Sequence, residues 1–145
     1  MNVDDWALAL GVGSGRGARA LARAVRGDKR QVVALGEAVA RAIEQAGHVA
    51  VRARLERGRL ALDDSSADAL CTSGLPDLSV APQLIKECAR VVRSGGSVIV
   101  ATAAGIVGRG PERHVLTAMF MHAGLVEITQ QLSRGTALTS GRVRR

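Results

Sequence analysis

A chain of 145 residues suits one domain with a single core. Hydrophobic residues make up 47% and aromatic ones only 1%, Trp6 and Phe120, so Val, Leu, Ile and Ala must build the core and stacking of nucleic-acid bases on aromatic rings is disfavoured. The net charge of +7 is carried by arginine, with lysine only at Lys29 and Lys86, and implies either an acidic partner (nucleic acid, protein or anionic surface) or a solvated basic face.

The opening MNVDDWALAL has acids where a signal peptide needs basic residues, and no apolar run approaches the ~20 residues of a membrane span. A cytoplasmic protein with no membrane partner is therefore expected. Cys71 and Cys88 form no metal-type pair, and they read as buried, reduced thiols.

Along the chain, Asp5–Leu10 reads as a short buried strand leading into the glycine loop LALGVGSGRG. Residues 16–26 read as a helix with Ala18, Leu21, Ala22 and Val25 inward and Arg16, Arg19, Arg23 and Arg26 on the other face. Gln31–Leu35 is the second strand. Glu37–Ala46 is the second helix, with Val39, Ala42, Ile43 and Ala46 inward, an i,i+4 pair between Glu37 and Arg41, and Gly47 as the stop. Val49, Val51, Ala53 and Leu55 alternate as in a half-buried strand, and ERGRLALDDSSAD reads as a polar loop.

Asp68–Thr72 is the next strand, and SGLPD turns the chain. Val80–Val92 is the clearest helix, with Val80, Leu84, Ile85, Cys88, Val91 and Val92 on one side. Ser94-Gly95-Gly96 stops it ahead of the strand Ser97–Ala103. Pro111 suits the first turn of a helix that runs to Ala123 and ends at Gly124. Leu125–Leu132 and Thr136–Val143 form a hairpin around Ser133-Arg134-Gly135. Such alternation predicts an α/β domain of residues 1–145: a three-layer, Rossmann-like arrangement with a mostly parallel sheet of seven strands and an antiparallel C-terminal hairpin.

The spacing Gly11, Gly13, Gly15 is GxGxG. A dinucleotide fingerprint places its third glycine one position later, at Arg16. Such a loop either lets a ligand approach the backbone beside a positive helix N-terminus or is a tight turn kept for packing.

Taken together, LALGVGSGRGARALA, RLALDDSSADAL, LIKECARVVRSGGSVIVAT and FMHAGLVEI resemble the motifs of the class I S-adenosylmethionine-dependent methyltransferases over nearly the whole chain. Asp68 matches the acid at the start of the family's fourth strand, and Glu87, Arg90 and Gly95-Gly96 match its helix and Gly-Gly turn. The second half also resembles the N-terminal methyltransferase-like domain of anamorsin, an interaction module rather than an enzyme. It does so through SSxD, SGL, the Gly-Gly turn and GLVE.

The resemblance implies S-adenosylmethionine as cofactor, no metal, and Gly11, Gly13, Gly15, Glu37 and Glu56 as candidate cofactor contacts. It also shows departures. The acid expected two residues before the first glycine is Ala9, and the ribose acid after the second strand is Gly36, with Glu37 one place on. Glu37 reads equally as a first-turn helix acid, and Glu56 as a surface acid. Each charge-assisted hydrogen bond is worth ~1.5–3 kcal/mol, so two lost weaken binding by roughly two to four decades. Only Met1–Asp4 precede the first strand, so helices that cover the cofactor in active relatives are not expected. No catalytic residue is assigned: Cys71, Thr72 and Ser73 line a pocket or a plain turn. His114 and His122, eight apart, are ~80° out of alignment on a helix.

These readings lead to a small, degenerate methyltransferase-fold protein, non-catalytic and acting as a protein-interaction or scaffold module. Its partner would be acidic and met by Arg16, Arg19, Arg23 and Arg26, with Arg142, Arg144 and Arg145 adding to the charge; a homo-oligomer is also open. The alternatives are a minimal active S-adenosylmethionine-dependent methyltransferase and a basic nucleic-acid-associated module.

Overall fold

The computed structural model describes Val25 and residues 32–53, 55–73, 81–103, 113–133 and 136–145. The first predicted strand, the glycine loop with Gly11, Gly13 and Gly15, and the arginine face of Arg16, Arg19, Arg23 and Arg26 lie outside the described residues.

Strand β1 is Val32–Leu35, with all four residues buried. The two-residue period of a strand sends Val33 and Leu35 into one core and Val32 and Ala34 into another, on the opposite face of the sheet. Helix α1, Glu37–Gln45, follows at once and buries Val39, Ala40, Ala42 and Ile43. Gly47 closes it at φ +91°, donating its N–H to Glu44 O at 3.0 Å. Ala46, expected to face inward, is exposed because it is the capping residue, where the chain has already left the helix.

Strand β2 is only Ala50–Arg52, the sheet's short outer edge among the described residues, and Val49 before it is 64% exposed rather than half-buried. The expected continuation through Leu55 breaks, and so does the polar loop. Strands β3, Leu55–Glu56, and β4, Arg59–Leu60, form a separate hairpin. Its turn residues Arg57 and Gly58 have φ +51° and +76°, the paired positive angles of a type I′ turn. Leu60 is buried there.

Strand β5, Ala67–Ser73, enters the sheet beside β1. Helix α2, Ala81–Val91, packs Leu84, Ile85 and Cys88 into the core and passes directly into β6, Val92–Ala103. The ladder between β5 and β6 skips from Ala67↔Val92 to Ala69↔Ser97, so the segment around the Gly-Gly turn bulges out. Gly96 is required there: a Cβ on it would stand 2.5 Å from both Asp68 O and Val92 Cγ1. Helix α3, Arg113–His122, seats Leu116 and Phe120 in the core. Strands β7, Leu125–Ser133, and β8, Thr136–Val143, form the expected antiparallel hairpin.

Among the described residues the sheet has six strands in the order β2-β1-β5-β6-β8-β7. The first four are parallel to one another, β8 runs antiparallel to β6, and β7 runs antiparallel to β8. Helices α2 and α3 cover one face and α1 the other, which gives the three layers. Strand β1 pairs with β2 through Val33↔Val51 and with β5 through Val33↔Leu70, so no further strand stands between β1 and either neighbour.

Candidate functional site

From β1 the chain winds outward through α1 to β2, then returns to place β5 on the other side of β1. Open parallel sheets bind ligands at the carboxyl ends of the strands that flank such a reversal. Leu35 and Thr72 are register partners at those ends, so the turn at Gly36 stands beside the end of β5. Gly36, at φ +124°, is the N-cap of α1 and gives it no side-chain cap, and the positive end of the helix lies at the carboxyl end of β1. Cys71 and Thr72 are fully buried. Burial alone pushes the Cys71 thiol up to about 12, which keeps it protonated and unsuited to nucleophilic work.

The carboxylate nearest this crevice in sequence is directed elsewhere. Glu37 Oε2 accepts from Arg52 Nε at 2.8 Å, and its Oε1 accepts from Arg52 Nη2 at 3.1 Å and Arg41 Nε at 3.2 Å. Arg52 also donates to Glu44, at 2.8 Å and 3.3 Å, so one guanidinium of β2 joins both ends of α1. The hydrogen bonds from Arg52, ahead of those from Arg41, hold the Glu37 carboxyl below the usual glutamate range. The helix-acid reading of Glu37, with its Arg41 pair, is thus the one this geometry displays. Nothing in the sequence distinguishes Arg52, which is only a polar residue in an alternating strand.

Glu56 sits exposed on β3, opposite Arg59, in the separate hairpin and not on the main sheet. His114 and His122 are exposed on α3. Among the described residues no three His, Cys, Asp or Glu side chains gather into a metal site. A cavity of about 270 Å³, lined by Val33, Val51, Ala61, Leu62, Asp63 and Ser66, is smaller than ligand-sized pockets usually are.

The motif residues of the second half do structural work. Glu87 is only 6% exposed. Its Oε2 accepts from the backbone N–H of Leu60 at 2.9 Å and from Arg90 Nη2 at 2.9 Å, while Oε1 accepts from Arg90 Nε at 3.1 Å. Arg90 donates onward to Leu60 O, Leu62 O and Asp64 Oδ1 at 2.9, 3.0 and 2.5 Å. The pair therefore clamps the segment before β5 onto α2. Arg93 holds Asp68 at 2.5 Å on the other side of the bulge.

The tail arginines also make contacts within the molecule. Arg142 and Arg144 reach Glu127 at 3.3 and 3.5 Å. Arg145 caps α2: its Nη2 donates to Ala89 O and to Arg90 O (3.1 Å), and its Nη1 to Val92 O (2.9 Å) and Ser65 Oγ (2.6 Å). The backbone N–H groups of Ser65 and Ser66 satisfy Arg90 O and Val91 O at 2.9 and 2.8 Å. A cation set against a helix C-terminus is favourable in itself.

Several solved structures that superpose on this chain are methyltransferases. An S-adenosylmethionine-dependent methyltransferase from Thermotoga maritima superposes at a TM-score of 0.61 and 14% identity, over 97% of this chain and 94% of that one. The 1,6-didemethyltoxoflavin-N1-methyltransferase of Burkholderia thailandensis, solved with 1,6-didemethyltoxoflavin and S-adenosylhomocysteine, superposes at 0.65 and 13% identity, over 98% and 83%. A phosphoethanolamine N-methyltransferase of Haemonchus contortus, in complex with phosphomonomethylethanolamine and S-adenosylhomocysteine, superposes at 0.69 and 8% identity, over 90% and 53%, so the chain spans about half of that protein. No curated protein matches the sequence. Residues 8–100 match the sequence model of the methyltransferase domain, from the glycine loop to β6. The chain belongs to the methyltransferase domain family.

Proposed function

We propose that this methyltransferase-fold domain, residues 1–145 acting as one unit, has given up methyl transfer and serves as a protein-interaction module. The observation that carries the reading is the engagement of Glu37. Ala9 and Gly36 stand where the resemblance expects acids, and Glu37, the nearest replacement, has both carboxylate oxygens bonded to Arg52 and Arg41. To reach a ribose it must give up those bonds. The described residues therefore do not fit the cofactor well. The likeness of the second half to the anamorsin domain supports the same reading from sequence alone. The partner is an acidic protein surface met by Arg16, Arg19, Arg23 and Arg26, with the exposed Arg142 and Arg144 adding to the positive charge.

The competing reading is an active S-adenosylmethionine-dependent methyltransferase, with Gly11, Gly13, Gly15, Glu37 and Glu56 holding the cofactor. The match over residues 8–100 favours it. Calorimetric titration with S-adenosylmethionine and S-adenosylhomocysteine separates the two. No heat up to millimolar ligand is expected; binding at low micromolar concentration, retained after Arg52→Ala, overturns the proposal. Steeply salt-dependent binding of DNA or RNA would instead place the basic face on nucleic acid.

A further inference from the structure

Among the described residues the sheet has two edges, β2 and β7, and they are built differently. The β2 edge is three residues long and carries Arg52, held by Glu37 and Glu44. The β7 edge is nine residues long, about 30 Å at ~3.3 Å per residue. Alternate residues of β7 direct their N–H and C=O groups to β8, and those between turn theirs outward. Folded proteins usually blunt such an edge with charge, proline or brevity. Strand β7 has no lysine or proline, and its single charge, Glu127, lies at the bulge where Arg142 and Arg144 reach it. Beyond the bulge, Ile-Thr-Gln-Gln-Leu-Ser (128–133) is uncharged, and Leu132 is 61% exposed.

We infer that β7 is a dimerisation edge, pairing antiparallel with β7 of a second copy to continue the sheet across a two-fold axis. Three features select a second copy over other occupants. A strand paired with itself about a two-fold axis makes every contact twice. Residues 128–133 oppose no like charges, so two chains of net charge +7 can meet there, whereas an acidic or basic strand finds nothing to pair with. Both edges are preformed, so association avoids the ordering cost that a flexible peptide carries. The inference rests on the sheet edge and does not depend on whether the cofactor loop is used.

Sedimentation velocity on the full chain, from micromolar to hundreds of micromolar, tests it. The expected result is a mass that rises with concentration to twice that of the monomer, with amides of 125–133 gaining protection from hydrogen exchange over the same range. The double variant Gln131→Lys, Leu132→Lys places one charge on each face of the strand and should weaken dimerisation by about tenfold or more. Its circular dichroism should stay unchanged, and so should its Tm at concentrations where wild type is monomeric. Val49→Lys, beside the β2 edge, should leave the dimer intact. A monomer at every concentration, or equal dimerisation of both variants, overturns the inference.

Discussion

Replacing Glu87 with alanine should destabilise the domain by about 3 kcal/mol, at the lower end of what breaking a buried ion pair costs. The carboxylate is 6% exposed and accepts three hydrogen bonds, one from the backbone of Leu60 and two from Arg90. Its removal strands a buried N–H on Leu60. Arg90 keeps its bonds to Leu60 O, Leu62 O and Asp64, which limits the loss. An unfolding entropy of about 2.1 cal/mol/K per residue gives 145 residues about 0.3 kcal/mol/K, so the expected fall in Tm is about 10 °C. The sign of the pH dependence follows from the lowered Glu87 pKa, for which the Arg90 hydrogen bonds are the leading cause. A depressed carboxylate stabilises the fold above its ordinary value of 4.5, and the contribution vanishes as pH falls through the lower folded value. Thermal melts from neutral pH into the acid range should therefore show the gap between wild type and Glu87→Ala narrowing as pH falls below 4.5. A loss under about 1 kcal/mol at pH 7, or a gap that does not narrow in acid, would refute the clamp.

Three further outcomes follow from the same geometry. Arg145→Ala should cost about 1 kcal/mol in denaturant unfolding by removing the cation from the α2 C-terminus, and Arg145→Lys should recover only part of it, because one ammonium cannot reach the same set of carbonyls. Gly96→Ala should cost about 2 kcal/mol or more, because the new methyl meets backbone at Asp68, whereas Gly58→Ala, with only Gln83 Cγ at 4.0 Å, should show the smaller penalty of a strained φ alone. Cys71 and Cys88 should resist thiol reagents in the native protein and react only on unfolding, since both are fully buried with their pKa values pushed up by desolvation. Rapid native labelling would show that the core opens.

The long elements were legible because they bury one face over several periods. Strand Ser97–Ala103 and the helix carrying Leu84, Ile85 and Cys88 stand where the apolar pattern places them. The β3–β4 hairpin was not legible, because strands of two residues have no period to detect and an Arg-Gly turn looks like any polar loop. The sequence also placed Glu37 and Arg41 on one helix face but had no means of bringing in Arg52, fifteen residues away, which decides where that carboxylate turns. Arg145 is a similar case: a terminal arginine looks solvated until the carbonyls of a distant helix end are seen beside it.

The cap on α2 bears on how long the native state lasts. Arg145 reaches Ala89 across 55 intervening positions and Ser65 across 79, so these bonds close some of the longest loops in the fold. Contacts of that kind are expected to form after the rate-limiting barrier rather than in the nucleus, which draws on local helices and neighbouring strands. Interactions absent from the transition state act on the unfolding rate and leave the folding rate nearly unchanged. Arg145 is then a latch: it does little to help the chain find its structure, and it sets how slowly the chain leaves it.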